Sequence, residues 1–317
     1  MTSPERHPAA DAPASGSSLL RRLDLTTLQL FVAVAEESTL TKAAARAGIA
    51  PSAASKRLAD LEHELDIALF TRHAKGMQLT PAGDTLLVHA RRMLLNVAMI
   101  GVELGEYRQG VRGHIRMLAN LSAVVAFLPE DLQSFFAAHS DLRIELEERP
   151  SDRVVKGIVE GWAEIGICSR DADLMGLTAT VYRRDELVVL MRPDHVLARN
   201  TPIDYADTLD FEQISLHAES SIFTRSRIAA REAGRPLKRR IHVPGFDAIC
   251  RTVQADLGIA LIPAPVFEIL GRPLKLHAEW LTDSWARREL VLITAPEAHL
   301  SSAAKLLREH LLSRAPV

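Results

Sequence analysis

A chain of 317 residues is long enough for two or three domains, and an apolar fraction of 47% is enough to give each a core. A formal net charge of −2 excludes a uniformly basic nucleic-acid coat, so any DNA contact must rest on locally concentrated charge. No apolar run approaches the roughly 18–20 residues that span a bilayer, two cysteines make no disulfide framework, and 5% aromatics argue against base-stacking RNA modules.

The first 18 residues are rich in Pro, Ala and Ser and lack the apolar centre of a signal peptide. They read as a disordered tail, and a soluble cytoplasmic protein with no membrane contact is expected. From residue 23 to 37, Leu28, Phe31, Val32 and Ala35 recur at helical spacing. Between Glu37 and Asp60 there is no acidic residue, and the charges are Lys42, Arg46, Lys56 and Arg57. This run predicts a helix over 42–47 capped by Thr39 or Thr41, a turn at Gly48, and a helix from Pro51 to about residue 65. Two small-residue helices bearing only positive charge suit insertion into DNA.

Two short apolar stretches then flank Lys75-Gly76, the signal of a hairpin wing. Thr80-Pro81 opens a long helix to about residue 108, with Leu86, Ala90, Met93, Val97, Ile100 and Leu104 at alternating steps of four and three. A lone helix of this length is marginal in water, so the stripe predicts a homodimer through this helix rather than packing on its own domain. Gly110-Val111-Arg112-Gly113 reads as a linker. Beyond it, strands are expected at 114–119, 142–146, 163–168, 186–191, 213–216, 241–243 and 289–294, with strand or turn at 258–263. Helices are expected through residue 136 and over 151–161, 246–257 and 298–312. The alternation implies two α/β lobes with a ligand crevice at the strand ends.

The arrangement resembles the LysR-type transcriptional regulators. The resemblance covers nearly all of residues 23–317 and is densest where Leu28, Phe31, Val34-Ala35, Ser38, Ala43-Ala44, Ser55, Leu58, Leu61-Glu62, Leu65, Leu69-Phe70, Arg72 and Leu79-Thr80-Pro81-Ala82-Gly83 fall at the family's spacings. Ala163-Glu164-Ile165-Gly166-Ile167 and residues 258–263 look like its effector-domain signatures. The fold class implied is an all-α N-terminal part with a winged helix-turn-helix, a long linker helix, and a two-lobed α/β effector domain like a periplasmic binding protein. The corresponding boundaries are a tail at 1–22, a DNA-binding domain at 23–83, a linker helix at 84–110 and an effector domain at 111–317. Lobe I would take 113–185 and 290–317, and lobe II 186–289. Such proteins commonly form tetramers, and RNA polymerase is a further candidate partner. Many members carry Gln-Pro at the start of the recognition helix; here Pro51-Ser52 stands there, so a glutamine able to read adenine is missing.

The candidate DNA-binding residues are Ser52, Ala53, Lys56 and Arg57 at the start of the recognition helix, with Arg57 able to bond guanine and Ala53 to touch a thymine methyl. Ser55, Thr39, Thr41 and Lys42 are phosphate candidates, and Arg72 a wing residue for a minor groove or phosphate unless it pairs with Glu62 or Glu64. His73 and Lys75 are weaker wing candidates. For an effector, the candidate pocket is Ser122, Ser169, His217, Ser220 and Phe246, with helix capping the alternative role of Ser122. Arg225 and Arg227 are expected to be solvated, and Cys168 and Cys250 to be ordinary buried thiols rather than a redox switch. No nucleotide loop, nucleophile elbow or paired metal-ligating histidines occur, so no catalytic residue, metal or cofactor is expected. The reading is a DNA-binding regulator controlled by a small molecule of unknown identity. A regulator with a ligand-free sensor, or a binding protein or enzyme on the α/β part alone, are the alternatives.

Overall fold

The computed structural model describes residues 23–73, 76–109, 113–199 and 202–314. The expected tail, the linker at 110–112 and Lys75 lie outside those residues. The described residues form two compact units, divided between Ile100 and Gly101.

The first unit begins with three helices, α1 (Leu25–Glu37), α2 (Leu40–Arg46) and α3 (Pro51–Leu65). Asp24 caps α1 by accepting from the Thr27 N–H at 2.9 Å. Ala43, Ala44 and Ala54 are wholly buried, and these small side chains let α2 and α3 close onto Leu28, Phe31, Leu58 and Leu61. The hairpin β1 (Phe70–His73) and β2 (Gly76–Leu79) pairs antiparallel, Phe70 opposite Leu79 and His73 opposite Gly76. Phe70 packs on Phe31 with ring centroids 5.3 Å apart. The wing is held to the bundle by two further devices. The Glu62 carboxylate accepts from the Leu69 and Phe70 N–H groups at 2.7 and 3.1 Å, and the Met77 N–H donates to the Ser38 carbonyl at 2.8 Å.

The long helix α4 (Pro81–Gln109) starts from Thr80, whose hydroxyl accepts from the Gly83 N–H at 3.0 Å and donates to the Ala68 carbonyl at 2.8 Å. Its stripe divides. Ala90 is buried in the core of its own unit, with Leu86 packed against it, whereas Met93, Val97 and Ile100 are 38, 44 and 56% exposed. The first turns therefore follow the alternative of packing at home, Met93, Val97 and Ile100 lack cover in one chain, and the side chain of Leu104 lies outside the described residues.

The strands of the second unit are β3 (Gly113–Ala119), β4 (Leu142–Glu148), β5 (Ile165–Ser169), β6 (Ala179–Met191), β7 (Gln213–Ser215), β8 (Arg239–His242), β9 (Ile259–Pro263), β10 (His277–Trp280) and β11 (Arg287–Thr294). They form a mixed sheet in the order β4-β3-β5-β11-β6-β9-β7-β8, with β10 also on β6. Helices α5 (Leu121–Ala126), α6 (Leu128–Ala138), α7 (Ser151–Val159), α8 (Tyr205–Thr208), α9 (Ser221–Glu232), α10 (Phe246–Gln254) and α11 (Ser302–Ser313) cover it. Residues 179–186 of β6 pair with β11, and residues 187–191 pair with β9 and β10. One strand thus serves two lobes, each with its own core. Helix α5 lies between them: Ala123 belongs to the core of lobe I, while Leu121, Val125 and Ala126 pack against that of lobe II.

Several elements differ from expectation. The helix expected to run through residue 136 is two helices broken at Phe127, because Pro129 has no N–H to donate four residues back and its ring crowds the carbonyl there. Strand β6 begins seven residues before the expected 186, and its early residues, Arg183-Arg184-Asp185-Glu186, carry charge where alternation was sought. β10 is a four-residue edge strand with no apolar alternation and was not anticipated. Of residues 258–263, open between strand and turn in the sequence, Ile259–Pro263 form a fully buried strand.

Candidate functional site

In the first unit, Ser52, Ala53, Lys56 and Arg57 are exposed on the first two turns of α3, with Ser55 half-buried beside them. Pro51 at the start of α3 costs no hydrogen bond and fixes the backbone entry. Arg57 is engaged: its Nη1 donates to the Thr27 hydroxyl at 3.2 Å and lies 3.5 Å from the Asp24 carboxylate. Asp24 and Thr27 sit at the start of α1, so Arg57 pins one helix to the next. The Thr27 hydroxyl bond holds the Asp24 carboxyl below its usual value of 3.8, with burial opposing and the Arg57 charge adding a smaller pull. Asp24, Thr27, Ala53, Lys56, Arg57, Asp60 and Glu64 line an open groove of about 390 Å³. The acid-free run therefore folds beside carboxylates that lie outside it in sequence.

Thr41 and Lys42 are exposed on α2. Thr39 stands at its N-cap, yet its buried hydroxyl makes no capping bond. Arg46 is committed to Glu36 at 2.7 Å, and Arg91 reaches the same carboxylate at 3.0 Å. Arg72 is exposed on β1, and the Glu62 that would have paired with it holds backbone N–H groups instead. His73 stays within the wing, 3.1 Å from the Thr71 hydroxyl.

In the second unit, the ends of β3 and β5 and the start of α7 are tied together. Asn120 caps α5 by accepting from the Ala123 N–H at 3.0 Å, and its amide donates to Ser151 Oγ at 3.3 Å. Ser151 Oγ also accepts from the Ser169 N–H at 3.0 Å. Capping thus falls to Asn120, which frees Ser122. The Ser122 hydroxyl instead accepts from Arg288 Nη2 at 3.4 Å. Ser122 and Ser169 are buried on lobe I, while His217 is half-buried and Ser220 is buried on lobe II. Burial pushes the Glu148 carboxyl of lobe I up, with the charges of His217 and Arg149 opposing. Ser220 occupies the N-cap of α9 without a side-chain cap bond. Phe246 lies in the core of lobe II at 1% exposure. Among the described residues the one direct hydrogen bond within these five runs from the Ser220 N–H to the His217 carbonyl at 3.0 Å, inside lobe II, and none crosses between the lobes.

Among the described residues two ion pairs link the lobes, Arg153 with Glu219 at 3.3 Å and Arg225 with Asp171 at 3.4 Å. Neither pair was expected, nor was the role of Asp185 and Arg288. A signal existed: Arg184-Asp185-Glu186 read against Arg287-Arg288-Glu289 in antiparallel order places opposite charges at every step. Both cysteines are free and buried, and burial first, then Asp152 and Asp247 respectively, pushes Cys168 up to about 12 and Cys250 up to about 11. Among the described residues no cluster suits a metal ion, and no helix is long and apolar enough to cross a membrane.

Two family models match the chain. Residues 25–84 match the bacterial regulatory helix-turn-helix protein, lysR family, and residues 108–316 match the LysR substrate binding domain. An uncharacterized HTH-type transcriptional regulator of Mycobacterium bovis is 32% identical over 186 residues, 56% of this chain and 59% of its own length. The chain therefore spans less than two thirds of that relative. The HTH-type transcriptional regulator GbpR of Azospirillum brasilense is 30% identical over 242 residues, 75% of this chain and 70% of its own. The crystal structure of full-length CbnR complexed with target DNA aligns with a TM-score of 0.62 at 19% identity, over 91% of this chain and 99% of that one, a likeness of fold. On its helix-turn-helix, its two-lobed α/β unit and the models that match both, the chain belongs to the LysR family of bacterial transcriptional regulators.

Proposed function

We propose that the protein is a sequence-specific DNA-binding transcriptional regulator whose operator binding is controlled by a small molecule held between the two lobes of residues 113–314. The observation that carries the reading is α3: exposed Ser52, Ala53 and Lys56 on its first turns, on a helix fixed by a small-residue core and a wing. The opening residues of such a helix meet base edges, and hydroxyls and cations beside it meet phosphate. Exposed Thr41, Lys42 and Arg72 supply that second set. Pairing through α4 would set two such helices at a fixed spacing, and pairs of pairs would make a tetramer. A ligand that favours one closure of the lobes then shifts the population of assemblies and the operator bend each can bind.

The test is fluorescence-anisotropy titration of DNA flanking the protein's own coding region, against bulk competitor. Lys56→Ala with Arg57→Ala is expected to lower specific affinity by at least about tenfold, since each good base contact is worth about 1–3 kcal/mol. The oligomer measured by light scattering should not change. Undiminished specific binding by the double variant would remove the reading of α3.

A further inference from the structure

The two strands joining the lobes carry a ladder of opposite charges. In the register of β6 and β11, Arg184 faces Glu289, Asp185 faces Arg288 and Glu186 faces Arg287, with ion-pair distances of 3.1, 2.5 and 3.2 Å. In the outer two pairs the arginines are exposed and the glutamates half-buried. The middle pair is buried, at 3% for the Arg288 side chain and 0% for that of Asp185.

A guanidinium is planar and carries five N–H donors on two usable edges. Asp185 takes one edge in bidentate fashion, from Nε at 2.8 Å and Nη2 at 2.5 Å. The other edge is formed by Nη1 and Nη2. Its Nη2 donor has only a long contact of 3.4 Å to the Ser122 hydroxyl, and its Nη1 is buried with no partner among the described residues. A buried charged donor left unmade is costly, and a built pair of parallel N–H groups matches the two oxygens of a carboxylate.

We propose that this free edge of Arg288, with the Ser122 hydroxyl beside it, holds a carboxylate group of the effector. The assignment rests on reading residues 101–317 as a ligand sensor. Asp185 decides the charge class. Its fixed negative charge repels an anion on the opposite edge, and repels a doubly charged phosphate about twice as strongly as a singly charged carboxylate. Access requires the lobes to part, since Ser122 and Arg288 are both buried. The rim pairs Arg153–Glu219 and Arg225–Asp171 involve exposed or part-exposed side chains, and such pairs resist opening weakly.

The experiment is thermal unfolding of the full-length protein in acetate, propionate and lactate. Acetamide, propionamide and phosphate serve as comparisons, all at ionic strength matched with chloride. Carboxylates are expected to raise the melting temperature in a saturable way that the amides and phosphate do not. Arg288→Lys keeps a charge for Asp185 but loses the fork, and should weaken the carboxylate response at least about tenfold. Asp185→Leu with Arg288→Met removes both charges together, which spares the fold an unpaired ion, and should abolish the response. Absence of a carboxylate-specific rise in the natural protein overturns the proposal, as does an equal rise in the double variant or an equal effect of phosphate. Operator binding of the natural protein is measured in parallel. Intact operator binding without a carboxylate response removes this inference alone, whereas a carboxylate response without operator binding removes the regulator reading.

Discussion

Arg57 shows how far a side chain's role depends on neighbours distant in sequence. It stands on the recognition helix, but its guanidinium is drawn to Thr27 and Asp24, 30 and 33 residues earlier. To contact DNA it must exchange those partners for phosphate or a base edge. Both members of the Asp24–Arg57 pair are about half exposed, so the exchange costs little. Asp24→Asn keeps an N-cap acceptor and releases the charge, and is expected to strengthen DNA binding by no more than about fivefold. Asp24→Ala also removes the cap and should destabilise the first unit by about 1 kcal/mol in urea unfolding. Equal stability of the two variants would show that the cap contributes nothing. Cys168 and Cys250 illustrate the opposite case, where burial weighs most and a carboxylate close in sequence or space only adds to it: thiols pushed that high are protonated at neutral pH and poor nucleophiles.

At the scale of elements, the wing and the start of α4 are fixed by close backbone approaches that only glycine permits. A Cβ on Gly83 would lie 2.2 Å from the Leu69 carbonyl oxygen, and one on Gly76 would lie 2.3 Å from that of Ser38. Gly76 also has φ +128°, where side chains are strained. Gly83→Ala is therefore expected to destabilise the first unit by about 1–3 kcal/mol, through a clash with backbone that no side chain can relieve. Thermal unfolding checks it, and a shift indistinguishable from zero would mean that the first turn of α4 moves freely. The Leu-Thr-Pro-Ala-Gly run is legible in sequence because each residue serves this one junction: Leu79 pairs with Phe70, Thr80 caps, Pro81 starts the helix and Gly83 admits the Leu69 carbonyl. Strand β6 was legible only from Glu186 onward. Its first half satisfies its charges across a strand pair, and periodicity does not register that.

At the scale of the molecule, α4 rises about 43 Å over its 29 residues and leaves Met93, Val97 and Ile100 uncovered in one chain. A second copy of the same helix is the occupant the proposed function requires. Val97→Asp with Ile100→Asp is expected to give monomers in size-exclusion chromatography with light scattering, while helical content stays unchanged by circular dichroism. Persistence of the natural oligomer would move the interface elsewhere. In the second unit the two lobes share β6, so any ligand that changes their separation acts on residues of both.

The amino-acid sequence alone determined the helix-turn-helix, the wing, the long helix and the α/β character of the rest. Each of these is set by local rules: apolar period, cap, glycine and proline placement, all within a few residues. Tertiary structure alone decided which charges meet. Arg288 lies 103 residues from Asp185 and 166 from Ser122, and the register of two strands and the seat of α5 bring the three together. Local pattern carries no record of such distances, because the free energy of a buried ion pair belongs to the assembled interior and not to either segment.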